Sequence, residues 1–172
     1  MYGEVNAITY AHPTLETNRN DRITWFDASA TSGDTQAKNR VMSAQLKPDQ
    51  TVEKEVIMRL QLSETAPAQV VDQLWVFNAF VVARLTDQTI LFYEKPLLMK
   101  GLEPPMTLNL GENTIQADLL SVNFGRDPDN ESGAVMFGIS AGKVHRYLFN
   151  VDLELKTVAL TGAIEVEFPQ FD

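Results

Sequence analysis

The chain has 172 residues, no cysteine and a formal net charge of −9, from 23 acidic and 14 basic side chains. Disulfide frameworks, thiolate metal sites and cysteine nucleophiles are excluded by composition, and the acidic balance opposes phosphate backbones and anionic lipid alike. With 44 % hydrophobic and 22 % charged residues, a chain of this length can bury a core without a metal or disulfide staple.

Met1-Tyr2-Gly3-Glu4-Val5-Asn6 shows no basic region followed by an apolar core, so no signal peptide is visible. The longest apolar stretch, Leu74 to Ala83, falls well short of the ~20 residues that span a bilayer. A soluble protein of undetermined compartment is expected, without direct nucleic-acid or membrane partners. Repeats and low-complexity tracts are missing, and a single domain over 1–172 is the expectation.

Residues 1 to about 39 read as a loosely organised N-terminal arm. Polar clusters such as Asn18-Arg19-Asn20-Asp21 and Ala28 to Asp34 surround one compact strand, Arg22 to Asp27, with Ile23, Trp25 and Phe26. Arg40 to Leu46 is a strand ended by the turn Lys47-Pro48-Asp49-Gln50. In Thr51 to Leu62 the period of two puts Val56, Met58, Leu60 and Leu62 on one face. Residues 63 to 73 carry the strongest helix signals: Ser63 or Thr65 as cap, Pro67 at a first position, then Val70, Val71 and Leu74 at helical spacing.

Leu74 to Leu85 is predicted as a strand, joined by Thr86-Asp87-Gln88 to Thr89–Glu94. Its first ten residues, Leu74-Trp75-Val76-Phe77-Asn78-Ala79-Phe80-Val81-Val82-Ala83, are apolar at both parities. A strand with one solvated face should alternate, so both faces are expected to be covered, by this chain or by another subunit. Further strands follow at Met106–Leu110, Thr114–Phe124, Ala134–Ile139, Val144–Leu155 and Val158–Phe168, the last bent near Gly162. About ten strands with at most one short helix indicate an all-β chain, an antiparallel, jelly-roll-like β-sandwich. Nothing alternates strand with long helix, which disfavours a nucleotide-binding α/β fold.

Three sets of candidate site residues emerge. Trp75, Phe77, Phe80 and Val82 would form an interface if another subunit covers the apolar strand. Trp25 and Tyr10 could stack on a sugar ring or other ligand. Asp127, Asp129 and Glu131 place carboxylates at alternating positions, as at the start of a calcium loop. In that loop Pro128 stiffens the second position, Ser132 stands where the turn glycine belongs, and Gly138 replaces the closing acid. The same loop contains the sequon Asn130-Glu131-Ser132.

Catalytic signals are sparse. His12 and His145 are the only histidines, no Gly-x-Ser-x-Gly elbow is present, and Glu154, Glu165 and Glu167 have no evident pairing. The sequence therefore points to a non-catalytic structural or assembly protein, such as a self-associating coat, tail or spike subunit of a virion or phage. A carbohydrate- or ligand-binding module and a hydrolase with an unrecognised site are the two alternatives.

Overall fold

Every regular element is a strand among the residues described by the computed structural model, which are 5–10, 22–28, 38–47, 49–65, 67–98, 101–115 and 123–167, with backbone alone at 5–10, 22 and 46. The chain divides into two compact units, Met1–Pro105 and Met106–Asp172. None of the described helices is long and apolar enough to cross a membrane, since there are none.

The first unit holds β1 (Val5–Tyr10), β2 (Arg22–Asp27), β3 (Arg40–Leu46), β4 (Val52–Leu60), β5 (Val71–Val76), β6 (Phe80–Leu85), β7 (Ile90–Glu94) and the two-residue β8 (Leu102–Glu103). They form two sheets, ordered β1-β2-β3-β4-β8 and β5-β6-β7. Phe26, Val41, Met58 and Leu60 of the first sheet join Val71, Leu74, Val81, Ala83, Leu85 and Tyr93 of the second in one buried cluster. Two sheets sharing a core make this unit a β-sandwich. Burying one such side chain contributes about 1.5–3 kcal/mol before entropy is counted.

The second unit holds β9 (Thr107–Asn109), β10 (Asn123–Arg126), β11 (Gly133–Ser140), β12 (Lys143–Asp152) and β13 (Thr157–Val166), in the order β10-β11-β12-β13-β9. One face of this sheet buries Met136, Tyr147, Phe149, Val151, Val158 and Leu160. All pairings are antiparallel except β4 with β8 and β13 with β9. Consecutive strands are mostly joined as meanders, so the jelly-roll likeness expected from strand number does not extend to the paired Greek keys of that fold.

Four details differ from the sequence expectations. No helix forms over 63–73: Ser63 and Gln69 instead close an irregular loop, in which the Gln69 N–H donates to Ser63 O and the Ser63 N–H to Gln69 Oε1. These side-chain bonds give the backbone an alternative to a short helix. In β4, a bulge sets Met58 opposite Val41 but Val56 opposite Met42, so Met58 and Leu60 enter the core while Val56 falls on the other face. Thr114–Phe124 is a strand only from Asn123 among its described residues, 116–122 lying outside them. The strand read as Val144–Leu155 stops at Asp152, whose carboxylate accepts the N–H groups of Glu154 and Leu155 and starts a turn.

The remaining turns follow their chemistry. Asp49 Oδ1 accepts from the backbone and hydroxyl of Thr51 at 2.9 and 2.6 Å, and the hydroxyl bond above all holds its carboxyl below the usual range. Asp87 Oδ1 accepts from Thr89 N–H, and Gln88 takes a φ of 72°. The β11–β12 hairpin turns on Ala141 and Gly142 with φ of 50° and 76°, the two left-handed residues of a type I′ turn.

Ala141 is the misfit in that turn, because a β-carbon crowds the carbonyl in the left-handed region. Ala141→Asn is expected to stabilise the chain by about 1 kcal/mol, read as a raised Tm in thermal denaturation. A lowered Tm would contradict the turn geometry.

A buried pair gives a second prediction. Arg84, in the middle of the second sheet, donates Nε to Asp72 Oδ1 at 2.9 Å and Nη2 to Asp72 Oδ2 at 2.5 Å. Asp72→Asn removes this carboxylate's charge from a largely desolvated guanidinium and should cost about 1–3 kcal/mol. The exposed-turn change Asp87→Asn, by contrast, should stay within about 0.5 kcal/mol. Equal denaturation midpoints for the two variants would show that the ion pair contributes nothing.

Candidate functional site

The apolar run 74–83 is not one strand but the hairpin between β5 and β6. Val76 pairs with Val81, and the Phe77 N–H donates to Phe80 O across Asn78-Ala79. Both parities are apolar because two antiparallel strands contribute to the run. Asn78, the single polar residue within it, marks the reversal. The expectation of two covered faces nevertheless holds for β6, in which all six residues are buried.

Val81, Ala83 and Leu85 face the sandwich core. On the opposite face the sheet brings together the four residues picked out as an interface. Trp75 sits opposite Val82, which sits opposite Phe92. Phe77 stacks on Phe80 with ring centroids 4.5 Å apart, and Phe80 lies 6.3 Å from Phe92. Phe80 keeps 4 % of its surface and Val82 none, while Trp75 and Phe77 are half-buried. This is an aromatic cluster with two of its four members closed to solvent in the single chain. Trp75 and Phe77 alone retain area for a partner.

Trp25 is half-buried on β2 and Ile23, two residues away on the same face, is exposed. By backbone register Ile8 stands opposite Trp25 and Tyr10 opposite Ile23. The two candidate ligand residues thus belong to neighbouring strands, two pairs apart along the ladder. The Tyr10 side chain and His12 lie outside the described residues.

The 127–133 loop is tied up by its own hydrogen bonds. Asp127 Oδ1 accepts from Asp129 N–H at 3.0 Å, Asn130 Oδ1 accepts from Ser132 N–H at 3.1 Å, and Asn130 Nδ2 donates to Asn150 Oδ1 at 3.1 Å. Glu131 is drawn to Arg126 at 3.5 Å. Among the described residues no group of three His, Asp or Glu side chains is placed to hold a metal ion. Asp127, Asp129 and Glu131 therefore do not fit calcium, which needs six to eight oxygens converging on one point. Turn-forming side-chain bonds won over ligation. The carboxylates of Glu154 and Glu165 also stay apart in use: Glu154 is in the β12–β13 turn, and Glu165 accepts from Lys143 at 2.9 Å. His145 stacks near Tyr147 on β12, with ring centroids 6.1 Å apart.

Sequence reasoning missed a surface of the second unit that carries three exposed large apolar side chains. On the face of its sheet opposite the buried one, Phe137 and Ile139 of β11 and Ile164 of β13 are 42 %, 43 % and 53 % exposed. Register aligns Phe137, Arg146 and Ile164 in one row across three strands, and Ile139, Val144 and Val166 in the next. The alternation in Val135-Met136-Phe137-Gly138-Ile139 was the available signal, since both of its faces are apolar wherever glycine does not intervene.

No family model and no curated protein sequence matches this chain.

Two outcomes test the site assignments. Phe80→Ala removes a ring from a closed cluster and should cost about 3–5 kcal/mol, measured by denaturant unfolding; a cost under 1 kcal/mol would mean that the ring is not packed. Calcium or a chelator should leave Tm unchanged, because only a ligand that binds the native state raises it. A calcium-dependent rise would restore Asp127, Asp129 and Glu131 as ligands.

Proposed function

We propose that this chain is a non-catalytic assembly subunit that acts through protein–protein contacts, self-association among them, in a larger β-structured particle of the virion or phage type. The observation that supports it is the group of apolar side chains turned to water on one face of the second unit's sheet, Phe137, Ile139 and Ile164. Grouped exposed apolar residues on a small protein mark contact surfaces, because each forfeits burial energy that a partner would recover. Leu97 and Leu98 after β7 and Leu102 in β8 add exposed apolar area on the first unit. The particle type rests on fold-level analogy with β-sandwich coat and tail subunits.

A ligand-binding reading has one observation of its own, the exposed Ile23 beside half-buried Trp25 on an outward face of the first sheet. An aromatic next to an apolar shelf is the kind of surface on which a sugar ring stacks.

Light scattering on a sizing column across a range of concentrations separates the two. A defined oligomer is the expected result, and a 19.2 kDa particle at every concentration would remove self-association from the proposal. Trp25→Ala should leave both the mass and glycan-array binding unaltered. Glycan binding by the native chain that this variant loses would replace the assembly reading with the ligand-binding one.

A further inference from the structure

We propose that a second copy of this chain docks on the second unit by strand addition, its β13 pairing antiparallel with this β13 along Thr161–Val166; the inference rests on the assembly reading above and names its surface. β13 pairs with β12 along nearly its whole length, from Asp152–Thr157 to Val144–Val166. On its other edge the parallel partner β9 reaches only Thr157–Ala159. Among the described residues no strand lies beside Thr161–Val166 on that side. An open edge of this kind presents backbone donors and acceptors to any incoming strand.

The side chains of this stretch are those of a strand made to be paired. After Leu160 the burial of β13 ends, and Thr161, Ala163, Ile164 and Glu165 are all exposed. Natural edges are usually blunted by lysine, proline, an inward charge or a bulge, and the bulge of β13 falls at Thr161, at the near end of this stretch. Thr161–Val166 contains one charge, Glu165, and Lys143 of the neighbouring strand already neutralises it at 2.9 Å.

Charge also favours a copy of the same chain at this place. Two molecules each carrying −9 repel, so the contact must fall where the local field is weakest. Around this edge Lys143 and Arg146 balance Glu165 and Glu167, and the apolar row of Phe137 and Ile164 flanks Arg146.

Symmetry then fixes the pairing. A two-fold axis perpendicular to the sheet keeps each face on its own side, so the register must be centred on a residue. Centred on Ala163, it sets Ile164 against Gly162 of the second copy and Glu165 against Thr161. Centred on Ile164, it sets Glu165 against Ala163. Neither register brings Glu165 against itself, and both extend the apolar face across the axis. Five paired residues in either register span roughly 17 Å and bury less than the ~1,600 Å² of a standard stable interface, so association in the micromolar range is expected.

The cysteine-free chain permits a direct test. Single-cysteine variants Ala163→Cys and Ile164→Cys are oxidised beside Glu112→Cys, which lies exposed in the turn after β9. Across a dyad the paired α-carbons sit ~4.5–5.5 Å apart, within disulfide range, so one of the first two should give a covalent dimer and Glu112→Cys should not. In light scattering, Ile164→Lys should weaken association at least tenfold with Tm unchanged. A native chain that stays monomeric overturns both this docking and self-association. A native oligomer with no edge-specific cross-link, or with equal cross-linking through Glu112→Cys, overturns the edge alone and leaves the assembly reading standing.

Discussion

The first unit depends on β6 being the central strand of a three-stranded sheet with no side chain left in water. A strand buried on both faces must be apolar or must bring its own compensation. Phe80, Val81, Val82, Ala83 and Leu85 meet the first condition, and Arg84 meets the second through Asp72. That compensation is local to the hairpin. The register shifts between Val71 and Gln73, around Asp72 itself. A desolvated guanidinium without a carboxylate is among the costliest groups a core can hold. The bulge, the ion pair and the burial of β6 are one arrangement.

β5 and β7 follow from that strand. Pairing with β6 sets Leu74 and Val71 on the core side with Ala83 and Leu85, and sets Tyr93 opposite Val81. Tyr93 is fully buried and its hydroxyl donates to Gln61 O at 3.2 Å, which ties the second sheet to the chain leaving β4. Burial pushes the phenol pKa upward, which favours the neutral, donating form of the hydroxyl. The four aromatic and aliphatic residues of the other face, from Trp75 to Val82, are then brought together by register alone.

The class of fold was legible from turn residues and period-two patterns, because those signals are local. Asp49, Asp87 and Gly142 end or reverse the chain where their chemistry says they should, and Gly162 marks a bulge opposite Leu148. What was not legible depends on which segments meet. The run 74–83 has the composition of one doubly covered strand, and only the pairing of Val76 with Val81 reveals two. The helix signals at 63–73 are equally local and equally sound. They lost to a tertiary arrangement in which Val71 and Leu74 both reach the core from β5, whose register shifts between them. Asp127, Asp129 and Glu131 have the spacing of a cation loop, but spacing does not say whether the oxygens converge, and here a backbone N–H takes Asp127 Oδ1 while Glu131 lies by Arg126.

The two units resolve the same problem of strand edges and faces in opposite ways. In the first, β6 lies between two partners and closes both faces. In the second, β12 and β13 run past the part of their sheet that is buried. Leu160 is the last core residue of β13; at the following bulge Gly162 lies against Leu148, so close that a β-carbon there would stand 3.2 Å from Leu148 Cδ1. Six more residues then continue as strand with little burial. Ordering each residue costs about 1–2 kcal/mol of backbone entropy, and one ladder with β12 returns only part of that. A strand that keeps its conformation beyond its own core, with an apolar face and an edge carrying neither lysine nor proline, has a sequence suited to being covered. The polar alternatives that would have made it a free end, lysine or proline along Thr161–Val166, are not the residues present.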